Sequence, residues 1–119
     1  MKVFIDSNVL LDDFYQRKGA EGSRQLARFC VSSTQHEAWI ASHTLSNAFY
    51  IVRGHASSKD VARSFIRDLL QWVEVAETTK SDANKATNYG MSDFADALQL
   101  AAAEACAADV LITRNTKHF

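Results

Sequence analysis

The sequence predicts an α/β fold: a small parallel sheet of about four strands, flanked by helices in three layers. Four short apolar runs, at Lys2–Ile5, Ala38–Ala41, Trp72–Val75 and Asp109–Thr113, have strand length and a buried-strand composition. Segments with apolar residues at helical spacing separate them. A strand reached through a helix lies parallel to its predecessor, because a right-handed crossover delivers it there.

Taken in order, Lys2–Ile5 stops at Asp6-Ser7-Asn8, three good helix N-cap residues. Val9, Leu10, Leu11 and Phe14 then give a helix out to Lys18, punctuated by Gly19 and Gly22. Leu26, Phe29, Cys30 and Ser33 predict a second helix before the Ala38–Ala41 strand. Leu45, Ala48, Phe49 and Val52 repeat at i, i+3, i+4 and i+7, so a helix follows, ending near Gly54. Ser58 opens another, with Val61, Phe65 and Leu69 on one face, ahead of the Trp72–Val75 strand. Lys80–Tyr89 is polar and helix-compatible, broken at Gly90. Ser92 caps the strongest helix, whose stripe is Phe94, Ala97, Leu98, Ala101 and Ala105. It leads back into the last strand.

At 119 residues one domain, 1–119, is expected, since either half alone would lack a core. Hydrophobic residues make up 47% and charged residues 23%, an ordinary globular balance. There is no proline, and only four glycines stand at 19, 22, 54 and 90, from which no GxGxxG or GxxxxGK[ST] loop can be drawn. Glycine-cradled nucleotide sites and low-complexity chains are thereby excluded. A net charge of −1, from 13 Lys+Arg and 14 Asp+Glu, excludes a non-specific polycation. Cys30 and Cys106 form no CxxC pair and read as small buried apolar residues in a reducing compartment. The apolar N-terminal run breaks at Asp6, too short for a signal peptide or a membrane span, so a cytoplasmic protein is expected.

Ligands of open parallel sheets bind beyond the carboxyl ends of the strands. Asp6 and Asn8 follow strand one; His43, Thr44 and Asn47 follow strand two; Thr113, Arg114 and Asn115 end the last strand. The helix carrying Asp93 and Asp96 runs back into that strand, so its first turn reaches the same edge. Asp93 and Asp96, at i and i+3, share a helix face. Carboxylates crowded with Asp6 repel unless a cation neutralises them or a proton is retained. A hard cation such as Mg²⁺ favours few carboxylates plus waters and substrate phosphates, and such a site hydrolyses phosphodiesters.

Plainer roles compete for each residue. Asp6 and Asp93 are also good helix-start residues, and Asn47 also reads as a solvated helix polar group. Histidines 36, 43, 55 and 118 lack HxxxH or HExxH spacing, which argues against zinc. Arg17, Lys18, Arg24 and Arg28 read as a solvated face or as a basic strip for RNA phosphates. For Tyr15, Trp39 and Tyr50, core packing is the default and base stacking the alternative.

Together these features resemble a known family. Val3–Asp12, with its apolar strand running into Asp-x-Asn, resembles the opening of PIN domains, and Ile40–Arg53 is similar to their second segment. Ser92–Ala103 resembles their Asp-Ala-rich helix, and Val110–Phe119 their final strand with its Thr-Arg-Asn turn. The nearest subgroup is the VapC-like toxins of bacterial toxin–antitoxin pairs. The resemblance implies an Mg²⁺- or Mn²⁺-dependent endoribonuclease, often homodimeric, neutralised by a cognate antitoxin protein. Carried over, Asp6 and Asp96 are the metal-binding acids and Asp93 an accessory one. Asn8 and Asn47 orient ligands or water, and Thr113, Arg114, Asn115 and His118 shape the rim.

Two departures weaken the acidic field: Asn47 stands where many relatives have Glu, and His118 where Asp commonly precedes Phe. Relatives also continue by about one edge strand. A catalytically weak PIN-fold module acting through protein or RNA binding is therefore the alternative. A haloacid-dehalogenase-like phosphatase would need a second Asp two residues after Asp6, where Asn8 stands.

Overall fold

The computed structural model describes residues 1–15 and 35–113. Four strands, β1 (Lys2–Ile5), β2 (Glu37–Ala41), β3 (Val73–Ala76) and β4 (Val110–Ile112), form one sheet in the order β3-β2-β1-β4. Every pairing is parallel, with Phe4 opposite Trp39 and Leu111, and Ile40 opposite Val75. The described helices are α1 (Ser7–Tyr15), α2 (Ser42–Ala56), α3 (Lys59–Leu70), α4 (Lys80–Thr87) and α5 (Phe94–Ala105). The predicted helix around Leu26–Ser33 and the residues from Arg114 onward lie outside the described residues.

Alternation along β1 divides the core. Val3 and Ile5 pack with Ile40, Val9, Leu10 and Leu69 on the α1 and α3 side. Phe4, wholly buried, points the other way onto Ala102 and Ala103 of α5. The small alanines of α5 let its backbone lie close to the sheet. Leu11, Ala48, Val52 and Ala62 join α1, α2 and α3 in a third cluster. The predicted layers of helix, sheet and helix are thus present.

Element edges differ from the expected ones for local reasons. Helix α2 runs through Gly54 to Ala56, because an interior glycine costs only about 1 kcal/mol, and Ser57 at φ 52 ends it in the left-handed conformation. Ser58 does cap α3, accepting from the Val61 N–H at 3.2 Å. Phe65 and Leu69 pack inward as expected, but Val61 faces solvent and Ala62 takes its place on the buried side of α3, with Ile66 beside it. Asp93 rather than Ser92 caps α5, because its carboxylate reaches the N–H three residues on. That rotation leaves Phe94 and Ala105 exposed. Cys106 is half-buried rather than core. No described helix is long and apolar enough to cross a membrane.

Candidate functional site

The chain leaves β1 toward β2 on one side, while β4 is added on the other. The order therefore switches between β1 and β4, where open parallel sheets bind ligands. Asp6 directly follows β1 and Thr113 directly follows β4. Asp6 N–H continues the ladder to the Ile112 carbonyl at 3.0 Å, which sets these two residues side by side.

Asp6 occupies the helix-start position of α1, and its carbonyl accepts from Val9 and Leu10 at 3.0 and 3.4 Å. Its carboxylate does not cap the helix. One oxygen accepts from Thr113 Oγ1 at 2.9 Å; the other accepts from Gln99 Nε2 at 3.0 Å and Ser7 Oγ at 3.4 Å. The side chain is 0% exposed, so these bonds form where water does not compete. Gln99 also accepts from the Ser7 N–H at 3.2 Å. A carboxylate on one side and an amide N–H on the other fix the orientation of the Gln99 amide by chemistry alone. Gln99 thereby takes over a capping role at α1 and releases the Asp6 side chain.

Asp96 lies one turn before Gln99 on α5 and is likewise buried, so both face the strand-end edge. Asp93 is exposed, and its Oδ1 accepts from the Asp96 N–H at 3.1 Å. Its helix-start role is real, and it fixes the backbone that carries Asp96. Among the described residues, no three His, Cys, Asp or Glu side chains converge as a ready-made metal cage. Asn8 is exposed in the first turn of α1 and Asn47 in the second turn of α2. Arg114, Asn115 and His118, like Arg17, Lys18, Arg24 and Arg28, lie outside the described residues.

The start of α2 is tied to the loop after β3. Ser42 Oγ donates to Thr78 Oγ1 at 3.1 Å and accepts from the Thr78 N–H at 3.1 Å, while His43 Nδ1 meets the same hydroxyl at 3.2 Å. Burial pushes the His43 imidazole below its ordinary value; the Ala95 backbone at the start of α5 pulls the other way. The next residue, Thr44, is buried, and its hydroxyl has no hydrogen-bond partner among the described residues. Thr79 and Asp82 close a reciprocal capping box at α4, with bonds of 3.2 and 3.0 Å.

Sequence reasoning missed Gln99, Ser42 and Thr78. Gln99 had a readable signal, since it falls three residues after Asp96 and so on the same face. Ser42 and Thr78 had none, being ordinary loop-edge hydroxyls. Trp39 belongs to the core: Lys2 Nζ lies 4.9 Å from its ring centre and its Nε1 donates to Glu37 at 3.0 Å. Tyr50, by contrast, is 64% exposed.

The fold has solved neighbours. One is VapBC2 from Rickettsia felis bound to a DNA fragment from its promoter, at a TM-score of 0.68 and 17% identity, covering 98% of this chain and 90% of that one. Another is a toxin–antitoxin complex from Klebsiella pneumoniae, at a TM-score of 0.70 and 22% identity, covering 98% and 89%. No curated protein matches the chain significantly in sequence. The PIN domain family pattern matches residues 2–117. With that match spanning the strand-end acids, the sheet and the helices on both faces, the chain belongs to the PIN domain family.

Proposed function

We propose that the chain is a divalent-metal-dependent endoribonuclease, acting in the cytoplasm as the toxin of a toxin–antitoxin pair. The observation that carries this reading is the Asp6 carboxylate, wholly buried at the switch point and held by donors from α5 and β4. A buried carboxylate kept out of its local capping role is costly for stability alone, and useful where cationic charge must be received.

The donor set suits a hard cation. Asp6, Asp96 and Asp93 offer oxygen ligands, and Mg²⁺ or Mn²⁺ is satisfied by one or two carboxylates together with waters and substrate phosphates. Asp6 and Asp96 would hold the ion, with Asp93 assisting through the backbone it caps. When bound, the ion acts as a Lewis acid on the phosphodiester and activates water for attack. The chain's own residues do the positioning. Gln99 and Thr113 hold the Asp6 carboxylate against rotation. Asn8 and Asn47, exposed in the first turn of α1 and the second of α2, orient water or the RNA backbone, and Thr113 with Arg114, Asn115 and His118 shapes the rim.

The neighbours described above as toxin–antitoxin complexes support an antitoxin protein as partner, and a homodimer is the expected assembly. The test is cleavage of labelled single-stranded RNA by the purified chain. Cleavage should need Mn²⁺ or Mg²⁺, stop in EDTA, and fall about 100-fold or more in Asp6→Asn. Equal cleavage in EDTA, or an intact Asp6→Asn rate, would overturn the reading. A chain that binds RNA or protein but neither binds metal nor cleaves would instead be a binding module.

A further inference from the structure

The outer face of α2 carries a feature that extends away from the strand-end site, with Asn47 where the two meet. Asn47, Tyr50 and Gly54 recur at i, i+3 and i+7, opposite the buried Thr44, Ala48 and Val52. This exposed stripe leads from the start of α2 to a cleft of about 560 Å³ lined by Tyr50, Arg53, Gly54, Ser57, Ser58 and Lys59. Arg53 lies about 9 Å along the helix axis beyond Asn47.

Three properties of the cleft point to one ligand class. Arg53 and Lys59 are exposed cations without an acidic partner among the described residues. Tyr50 is exposed and held edge-to-face against Phe49, with ring centres 5.5 Å apart at 87°. Gly54 is the third. Its backbone is helical, a Cβ there would meet nothing within 4 Å, and glycine inside a helix costs about 1 kcal/mol. Neither strain nor packing calls for it, and its bareness keeps the floor of the cleft open. Charge distribution agrees: residues 42–70 hold four Lys/Arg against two Asp/Glu, whereas 71–113 hold two against seven.

We infer that this cleft is a second RNA contact, in which a single-stranded RNA phosphate sits between Arg53 and Lys59 and a neighbouring base stacks on Tyr50. The inference rests on the ribonuclease reading for its substrate class. A flat ring beside two cations matches a nucleotide, which joins a base to a phosphate. An acidic peptide would need apolar anchors as well, and the cleft supplies none beyond Tyr50. The Asn47–Gly54 stripe then sets the path by which the strand leaves the acidic edge.

The experiment is fluorescence anisotropy of a labelled mixed-sequence single-stranded oligoribonucleotide, titrated with the full chain in EDTA over a range of salt, so that cleavage plays no part. Arg53→Gln with Lys59→Gln should weaken binding about tenfold and flatten the salt slope by about 0.7, the change for one phosphate contact on a single strand. Tyr50→Ala should weaken it about fivefold or more, and Tyr50→Phe should restore it. Gly54→Glu should weaken binding while melting no lower than wild type, since Glu is the better helix former. RNA affinity indifferent to these variants overturns the inference, as does a wild-type chain that does not bind RNA. Polyglutamate binding of equal strength, insensitive to Tyr50→Ala, assigns the cleft to an acidic protein and also overturns it. Arg53-dependent RNA binding without metal-dependent cleavage would sink the catalytic reading alone; normal cleavage with indifferent binding would sink this one alone.

Discussion

Helices α1 and α5 both begin at an aspartate, and the two aspartates do different work. Asp93 at α5 is exposed and spends Oδ1 on the N–H three residues on. Asp6 at α1 is buried and spends its carboxylate on Thr113 and Gln99, which lie 107 and 93 positions away in the sequence. Gln99 makes this difference, because it accepts from the Ser7 N–H and so stands in for the missing side-chain cap. Local position assigns an aspartate its default role, and a partner from a distant element can release it for another.

The largest effect should come from breaking that release. Gln99→Ala leaves the Ser7 N–H and one Asp6 oxygen without their partner, and should cost about 2–4 kcal/mol in urea unfolding. Gln99→Glu should be no better, because it sets a second carboxylate against Asp6. Wild-type stability in both would show that Asp6 is not held as described.

A smaller effect is expected at α5. Asp93→Ala should cost about 1 kcal/mol, and Asp93→Ser should recover most of it, because any good cap serves there. The same exchange at Asp6 should not recover metal-dependent cleavage. If Asp6→Ser cleaves like wild type, the two aspartates are equivalent after all.

The smallest effect concerns His43, which links the start of α2 to the loop after β3. Burial disfavours its charged form, so the folded chain resists a proton that the unfolded chain takes up near the ordinary value of 6.5. Stability should therefore fall as pH drops below about 6.5, and melting curves of His43→Gln should show a shallower decline between pH 7 and 5. An identical decline in both proteins would remove His43 from the account.

The strands were readable because apolar runs of that length, separated by helical periodicity, leave few other topologies. Asp6 was readable as a site residue from its place at a strand end. Its plainer role as a cap could not be dismissed locally, since the residue that excludes it is Gln99. Spacing puts Gln99 on the Asp96 face of its helix, but nothing local says that it reaches Asp6 across 93 positions. The exposure of Val61 was hidden for a similar reason: it precedes Ala62, whose small side chain is the one wholly buried. Tyr50 ran the other way, an aromatic residue expected in the core that stands in solvent.

The central proposal is that the Asp6 carboxylate, together with the buried Asp96 of α5, receives a divalent cation. Calorimetric titration of Mn²⁺ into the 119-residue chain and into its Asp6→Asn variant tests it most directly. The account predicts saturable binding by the wild type that Asp6→Asn weakens about tenfold or more, with the fold intact by circular dichroism. Equal Mn²⁺ binding by the two proteins, or none by the wild type at millimolar metal, would contradict it.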